Sequence, residues 1–113
     1  MHEMSIAQSI LDIVDEYMTK ENGRKLTEVA IEVGELTAVV PDSLTFCYEA
    51  LVENSPYRDS KIHIKIIPLT GICAKCSKSF KIKNFEFACP DCQSSSIDVK
   101  GGQELRISHL EVE

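Results

Sequence analysis

The sequence comprises 113 residues, enough for one compact domain or for one domain with a small satellite. A hydrophobic fraction of 43% allows a buried core, and a formal net charge of -6 argues against non-specific binding to nucleic acids or to an anionic membrane. No apolar run approaches the roughly 18 residues of a membrane span, and acidic side chains interrupt the first twenty residues, where a secretory signal would be apolar. The cysteine usage is typical of a reducing compartment, so we predict a cytoplasmic protein.

The first predicted element is an amphipathic helix that follows residues 1–4. Ser5 and Gln8 match a capping box, so we expect the helix to begin at Ser5. Asn22-Gly23 is typical of a helix end. The apolar positions recur at helical spacing and predict one buried face. They are Ala7, Ile10, Leu11, Val14, Tyr17 and Met18.

A strand, a second helix and another strand are predicted next. Residues 26–34 alternate between apolar and largely acidic side chains, so one face of that strand should be buried and the other solvated. Pro41 is suited to a first helical turn, and Cys47 lies on the apolar stripe of the helix that follows, where we expect a small buried residue. Isoleucines alternate with polar residues over residues 61–68, which predicts a strand with His63 facing solvent.

The most specific motif is a pair of Cys-x-x-Cys sequences. Cys73 and Cys76 form the first, and Cys89 and Cys92 form the second after twelve intervening residues. Each pair can place two sulfurs on one ion, and the intervening segment can bring the second pair round to the first. Four thiolates leave no open coordination position, so the spacing predicts a structural zinc site.

Other uses of these cysteines stay open on the sequence alone. They are two redox dithiols, a pair of disulfides, and a rubredoxin-like iron site. Zinc is favoured over iron because Ser77 and Gln93 follow the two motifs, where such turns usually have glycine. A thioredoxin-type dithiol is disfavoured because neither pair opens a convincing helix.

The segment around the cysteines has few apolar residues of its own. Phe80, Ile82, Phe85 and Phe87 supply most of its apolar surface, too little for a free-standing core, so the metal must hold the segment together. The segment is also rich in lysine, which can offset the excess charge of four thiolates. A basic ribbon that binds nucleic acid is the alternative. The lysines are Lys75, Lys78, Lys81, Lys83 and Lys100.

The chain then returns to the main sheet. Gly101-Gly102 predicts a hinge, and residues 104–112 predict a third main strand with a bulge near Ser108-His109. We therefore predict an α+β fold: a three-stranded sheet covered by two helices on one face, with an inserted four-cysteine zinc-ribbon domain. The ribbon domain should span residues 70–102, and the main domain residues 1–69 plus 103–113.

The N-terminus is a second candidate metal site. The α-amine of Met1, the His2 imidazole and the backbone amides of His2 and Glu3 could offer four nitrogens in a near-planar array, which suits Ni(II) or Cu(II) rather than zinc. Glu3 could accept a hydrogen bond from the imidazole. The large second residue predicts that the initiator methionine is retained. A merely exposed terminal histidine is the alternative.

Catalytic motifs are not evident in the sequence, and we predict that the protein is not an enzyme. It has 3 histidines, its paired carboxylates lie on predicted solvated faces, and Gly101-Gly102 lacks the flanking pattern of a phosphate-binding loop. His63 and His109 could meet across adjacent strands as a further metal site. Two exposed strand histidines are the alternative.

The combined motifs resemble the HypA/HybF family of nickel metallochaperones of [NiFe]-hydrogenase maturation. The resemblance covers essentially the whole chain and depends on the Met1-His2-Glu3 start together with the late four-cysteine motif. Further matching segments are Val33-Gly34-Glu35-Leu36, Ser43-Leu44-Thr45-Phe46-Cys47-Tyr48 and Leu105-Arg106-Ile107.

The resemblance implies a nickel-binding α+β domain with an inserted zinc ribbon. It implies transferable Ni(2+) at Met1, His2 and Glu3, and structural Zn(2+) at Cys73, Cys76, Cys89 and Cys92. It also implies partnership with the GTPase HypB and delivery to the [NiFe]-hydrogenase large subunit, with urease served by some relatives. No histidine lies between or beside the cysteine pairs, so a ribbon histidine that contacts nickel is not expected in this chain.

Two hypotheses about function follow. The first is a nickel carrier that acts without nucleic acid or membrane. The second is a zinc-ribbon adaptor that binds protein or nucleic acid and delivers no metal. The sequence leaves open a homodimer formed by strand exchange through Gly101-Gly102.

Overall fold

The structure is a computed structural model and describes residues 2–113. None of the helices in that range combines the length and hydropathy needed to cross a membrane. In chain order the elements are α1 (Glu3–Lys20), β1 (Leu26–Gly34), a short 3-10 helix (Glu35–Thr37), α2 (Pro41–Val52), β2 (Lys61–Ile67), β3 (Thr70–Cys73), β4 (Ser79–Lys81), β5 (Ile97–Gly101) and β6 (Leu105–Val112).

The main sheet has three strands in the order β2-β1-β6. The central strand β1 is parallel to β2 and antiparallel to β6. Because a parallel pair requires a crossover connection, the chain between β1 and β2 passes over the sheet as α2. The helices α1 and α2 pack together over one face and enclose the core. The predicted α+β class with two helices on one face is confirmed.

The alternation of β1 explains how this core forms. Val29, Ile31 and Val33 are at most 1% exposed and pack against the helices. Glu28 and Glu32 point to the opposite face, which the helices leave open. The predicted alternation is therefore confirmed over residues 28–33. It does not extend to the start of the strand, where Leu26 is buried and the register to β6 shifts between Leu26 and Glu28.

The start of α1 differs from the sequence prediction. The helix begins at Glu3 with His2 as its N-cap, and the His2 side chain makes no capping hydrogen bond. The predicted capping box is wrong: Ser5 lies within the helix, and Gln8 donates a hydrogen bond to Asp12 instead. The two extra residues are accounted for by a tertiary contact of Glu3, described below, and by the favourable position of an acid in a first helical turn.

The buried face of α1 is also narrower than predicted. Tyr17 is 41% exposed and lies at the edge of the stripe, whereas Met18 packs partly against the core. The confirmed core positions are Ala7, Ile10, Leu11 and Val14.

A bulge in β6 keeps its apolar residues on the core side. Ala30 is paired with His109 and Ile31 with Ile107, so Ser108 is the extra residue. The bulge restores Leu110 to the core face after Ile107, as predicted. Leu105 is an exception because it is 38% exposed at the start of the strand.

Residues 70–102, hereafter the ribbon segment, form a second sheet in the order β4-β3-β5. Its apolar residues contribute less burial than the sequence suggested. Ile82 is 5% exposed, but Phe85 is 58% and Phe87 is 38% exposed. The ribbon segment therefore has little core of its own.

The two sheets are joined where β1 ends. The Gly34 N–H donates to the Glu104 carbonyl at 2.7 Å, and the Leu36 N–H donates to the Gly102 carbonyl at 2.8 Å. On the other linker, the Glu35 carboxylate accepts a hydrogen bond from the Leu69 N–H at 2.6 Å. Both linkers of the ribbon segment are thus held by three consecutive residues, the last residue of β1 and the two that follow it.

We predict that Gly34→Ala destabilises the protein severely. A Cβ at this position would lie 2.1 Å from the carbonyl carbon of Gly102, which is backbone and cannot rotate away. We expect the free energy of unfolding to fall by about 3 kcal/mol or more, as measured by urea denaturation.

The matched control is Gly23→Ala. Gly23 has φ +81° and open space around it, so the substitution carries only the cost of a left-handed backbone, about 1 kcal/mol. Equal losses for the two variants would show that the contact at Gly34 is not tight.

Candidate metal centres

Each Cys-x-x-Cys pair forms the same tight turn. The Ser77 N–H donates to the Cys73 carbonyl at 2.8 Å, and the Gln93 N–H donates to the Cys89 carbonyl at 2.9 Å. Ser77 has φ 64° and Gln93 has φ 60°, both left-handed. The turns therefore adopt the conformation that glycine usually provides, without glycine. The missing glycines consequently do not discriminate between zinc and iron, because Ser77 and Gln93 adopt the same left-handed conformation.

The two turns bring four sulfur atoms together. The Sγ atoms of Cys73, Cys76, Cys89 and Cys92 all lie within 4.8 Å of one another. Cys73 Sγ is 3.6 Å from Cys92 Sγ, and Cys76 Sγ is 3.5 Å from Cys89 Sγ. A tetrahedral zinc ion with Zn–S bonds of about 2.3 Å needs sulfurs about 3.8 Å apart. The cluster therefore fits zinc in both donor type and spacing.

Backbone amides prepare two of these sulfurs as thiolates. The Cys76 N–H, and to a lesser extent the Lys75 N–H, donates to the Cys73 sulfur and lowers the pKa of that thiol to about 6. The Cys92 N–H lowers the pKa of Cys89 in the corresponding way. The Lys78 N–H lowers the pKa of Cys76. The hydrogen bond between the Cys76 and Cys89 sulfurs and the desolvation of Cys76 outweigh that effect, so the pKa of Cys76 is raised to about 12. A bound metal ion would displace the protons from the thiols of Cys76 and Cys92, whose pKa values are raised.

The cluster is closed to substrate. Cys73 and Cys89 are buried, Cys76 and Cys92 are exposed, and all of them are free thiols rather than disulfides. Four sulfur ligands complete a tetrahedron, so no position remains for water or for a reacting group. When bound, the zinc ion would cross-link the two turns and so replace the core that the ribbon segment lacks.

We predict that chelation of this metal unfolds the ribbon segment selectively. Removal of zinc should abolish the chemical-shift dispersion of the amide NMR signals of residues 70–102. The signals of residues in the main core, such as Val29 and Leu44, should keep their positions. Cys73→Ala should have the same effect, and Cys47→Ala, outside the cluster, should retain the metal. An unchanged ribbon spectrum in protein shown to be metal-free would contradict this prediction.

The second predicted site lies at the start of α1. Met1 lies outside the described residues, so the structure shows two of the three predicted nickel residues, His2 and Glu3. His2 is exposed and is the N-cap of α1. The Glu3 carboxylate accepts a hydrogen bond from the Val40 N–H at 3.4 Å, and Val40 is the N-cap of α2. Glu3 therefore ties together the first turns of the two helices.

This arrangement makes an open cleft of about 510 Å³ beside His2. Asp42, Phe46 and Cys47 line it from α2. Two helix N-termini meet here, and their partial positive charges oppose a cation. The carboxylates of Glu3 and Asp42 lie at the same helix ends and offset that field.

Asp42 and Cys47 were not predicted as neighbours of His2. Cys47 was expected only as a small buried residue on the apolar stripe of the second helix. Cys47 is half-buried and packs against the core, with one side towards the cleft. The sequence signal that could have found the cleft is the acidic first turn that both helices share.

Comparison with known proteins agrees with this geometry. The profile of the family described as "Hydrogenase/urease nickel incorporation, metallochaperone, hypA" matches residues 1–112. The chain belongs to the HypA family. It is 37% identical to the hydrogenase maturation factor HypA of Actinobacillus succinogenes over 113 residues, which cover 100% of both chains. It is 38% identical, with the same coverage, to hydrogenase maturation factor HypA 2 of Bradyrhizobium diazoefficiens.

Solved structures of HypA proteins share the fold. The solution structure of the Ni metallochaperone HypA from Helicobacter pylori matches with a TM-score of 0.67 and 26% identity, covering 98% of this chain and 97% of the other. A second solution structure of a HypA protein matches with a TM-score of 0.73 and 25% identity, covering 99% and 96%.

The remaining histidines of this HypA-family chain lie away from both candidate centres. His63 on β2 is exposed, as predicted, and its Nε2 lies 3.2 Å from Oε1 of Glu28. His109 on β6 is also exposed. The two do not lie on adjacent strands, because β1 runs between β2 and β6.

Proposed function

We propose that this chain is a nickel metallochaperone that binds Ni(II) at Met1, His2 and Glu3 and delivers it for [NiFe]-hydrogenase maturation. Membership of the HypA family supports the class of function. The observation that supports the location is the exposed His2 at the mouth of a cleft whose other walls carry Glu3 and Asp42. Nickel in this role is cargo, so the site has to release it.

A terminal site suits a carrier better than a buried cage does. His2 is the N-cap of α1, so its backbone is held by an anchored helix while its imidazole stays in solvent. A partner protein can reach ligands in such a position and exchange with them one at a time. Geometry rather than affinity must select nickel, because copper binds nitrogen ligands more tightly.

We propose that the zinc-binding residues are Cys73, Cys76, Cys89 and Cys92, and that residues 70–102 form a zinc-ribbon domain inserted into a nickel-binding domain of residues 1–69 plus 103–113. Separate sheets for the two parts support this division. So does the elongated molecule, with principal extents of 56 × 24 × 16 Å. A separate ribbon would offer partners a surface remote from the nickel site.

Partners and location are proposed on the family resemblance. We propose the GTPase HypB and the [NiFe]-hydrogenase large subunit as partners, with delivery to urease as a further role. The family description names both hydrogenase and urease nickel incorporation. We also propose a cytoplasmic location and the absence of a catalytic activity of its own. A homodimer by strand exchange at Gly101-Gly102 stays a prediction.

A second candidate function is a zinc-ribbon adaptor that carries no nickel. The observation that favours it is the exposed pair of aromatic side chains, Phe85 and Phe87, on a lysine-rich segment. Metal analysis after exposure to nickel separates the two functions. Zinc without nickel would favour the adaptor, and salt-sensitive oligonucleotide binding would favour a nucleic-acid partner.

We predict that His2→Ala removes the high-affinity nickel site. Isothermal titration of untagged, zinc-loaded protein should show nickel affinity reduced by at least roughly tenfold, because even outer-shell partners contribute that much to metal binding. Gln8→Ala, one of the exposed positions on the same helix, is the control and should bind as wild type does.

A Gly-Ser extension before Met1 tests the amine separately from the imidazole. It should weaken nickel binding because the α-amine becomes an amide, whereas the same extension after Glu113 should not. Equal affinities for wild type, His2→Ala and the N-terminally extended protein would show that nickel does not bind at the N-terminus.

A further inference from the structure

On the open face of the main sheet, the two remaining histidines lie on either side of Ala30 in the central strand. Ala30 of β1 is paired with His63 of β2 on one side and with His109 of β6 on the other. Directly paired residues point to the same face, so both imidazoles flank the methyl group of Ala30. With strands about 4.8 Å apart, their Cα atoms are separated by about 9.6 Å.

The bulge at Ser108 is what turns His109 to this face. Ile107 packs on the core, and strict alternation along β6 would place His109 on the core side with it. The extra residue shifts the phase, so His109 pairs with Ala30 on the open side, where it is exposed. Bulges commonly re-aim a side chain in this way.

Two carboxylates complete the group. Glu28 lies two residues before Ala30 on the same face, paired with Glu111 of β6, and its Oε1 is 3.2 Å from His63 Nε2. The Glu28 and Glu111 carboxyl groups share a hydrogen bond, which lowers the pKa of Glu28 and raises that of Glu111. His109 is close enough for its charge to act on both carboxyls.

Two carboxylates in direct contact are unfavourable unless a proton or a cation lies between them. The chain already carries a formal net charge of -6, which adds to that cost. Two imidazoles border the same spot and, in their neutral form, can act as ligands. Within the described residues only the four cysteines already have their ligand atoms within 4.8 Å of one another, so these four groups do not yet meet at one point. Rotation of the side chains towards Ala30 would bring two oxygen and two nitrogen donors onto one ion.

We propose that the open face binds one divalent first-row transition-metal ion, with His63, His109, Glu28 and Glu111 as its ligands. Imidazole and carboxylate donors suit Zn(II) and Ni(II) alike. Exposed side chains can rotate inward over Ala30, whose methyl group leaves room for them. This site is separate from the cysteine cluster and from His2, and it does not depend on the proposed function.

The chain allows a direct test because it contains 3 histidines. In a zinc-loaded His2→Ala background, the only imidazoles left are those of His63 and His109. We expect added Zn(II) to shift the NMR signals of the carbon-bound imidazole protons of both rings together. The shifts should saturate at one further ion per chain. His63→Ala should weaken the response of His109 by at least roughly tenfold.

Glu28→Gln should weaken the binding as well, and Glu32→Gln is its matched control. Glu32 lies on the same strand and face, but its Oε1 forms an ion pair with Nε of Arg106 at 2.7 Å, outside the group. Independent responses of the two rings, an unchanged His109 response in His63→Ala, or equal losses in Glu28→Gln and Glu32→Gln would each overturn the proposal. Circular dichroism confirms folding of every variant, and the nickel affinity of His2→Ala reports on the terminal site separately.

Discussion

The close approach of Gly34 to Gly102 is the contact on which the arrangement of the molecule depends. It brings the end of the central strand against the exit of the ribbon segment with no side chain between them. Glu35 and Leu36 then hold the entry and exit linkers by hydrogen bonds to Leu69 and Gly102. Since β1 is also the strand that anchors the core, the ribbon segment takes its orientation from the most buried part of the protein.

The two candidate metal centres differ in whether their geometry suits retaining an ion or releasing it. The cysteine cluster has four sulfurs at tetrahedral spacing and no open position, which suits an ion that stays. Its role is to stabilise a segment in which Phe85 and Phe87 remain exposed. The cleft at His2 is open, and its carboxylates offset the field of two helix ends. Such a site suits an ion that has to leave.

The parts of the fold that follow local periodicity could be predicted from the sequence. β1 has its predicted bounds because Val29, Ile31 and Val33 recur at every second position, and the bulge in β6 follows from the phase slip between Ile107 and Leu110. The start of α1 could not be predicted in this way, because Glu3 is held by the Val40 N–H from a helix 37 residues later. Local capping rules carry no information about that contact.

The candidate sites divide along the same line. The cysteine spacing encodes its own geometry, because each pair makes a local turn. The neighbours of His2 and the grouping of His63 with His109 arise from strand order and helix packing, which motif spacing does not contain. His63 and His109 are 46 residues apart in sequence. They flank the same residue, Ala30, because their strands lie on the two sides of β1.

The central claim is that the transferable metal binds at the N-terminus while the cysteine cluster holds the structural ion. Amide NMR mapping of the first equivalent of Ni(II) added to untagged, zinc-loaded protein tests it most directly. We predict that the signals of His2, Glu3 and the first turn of α2 change, and that those around Cys73 and Cys89 do not. Changes centred on the cysteines, with the start of α1 unaffected, would contradict it.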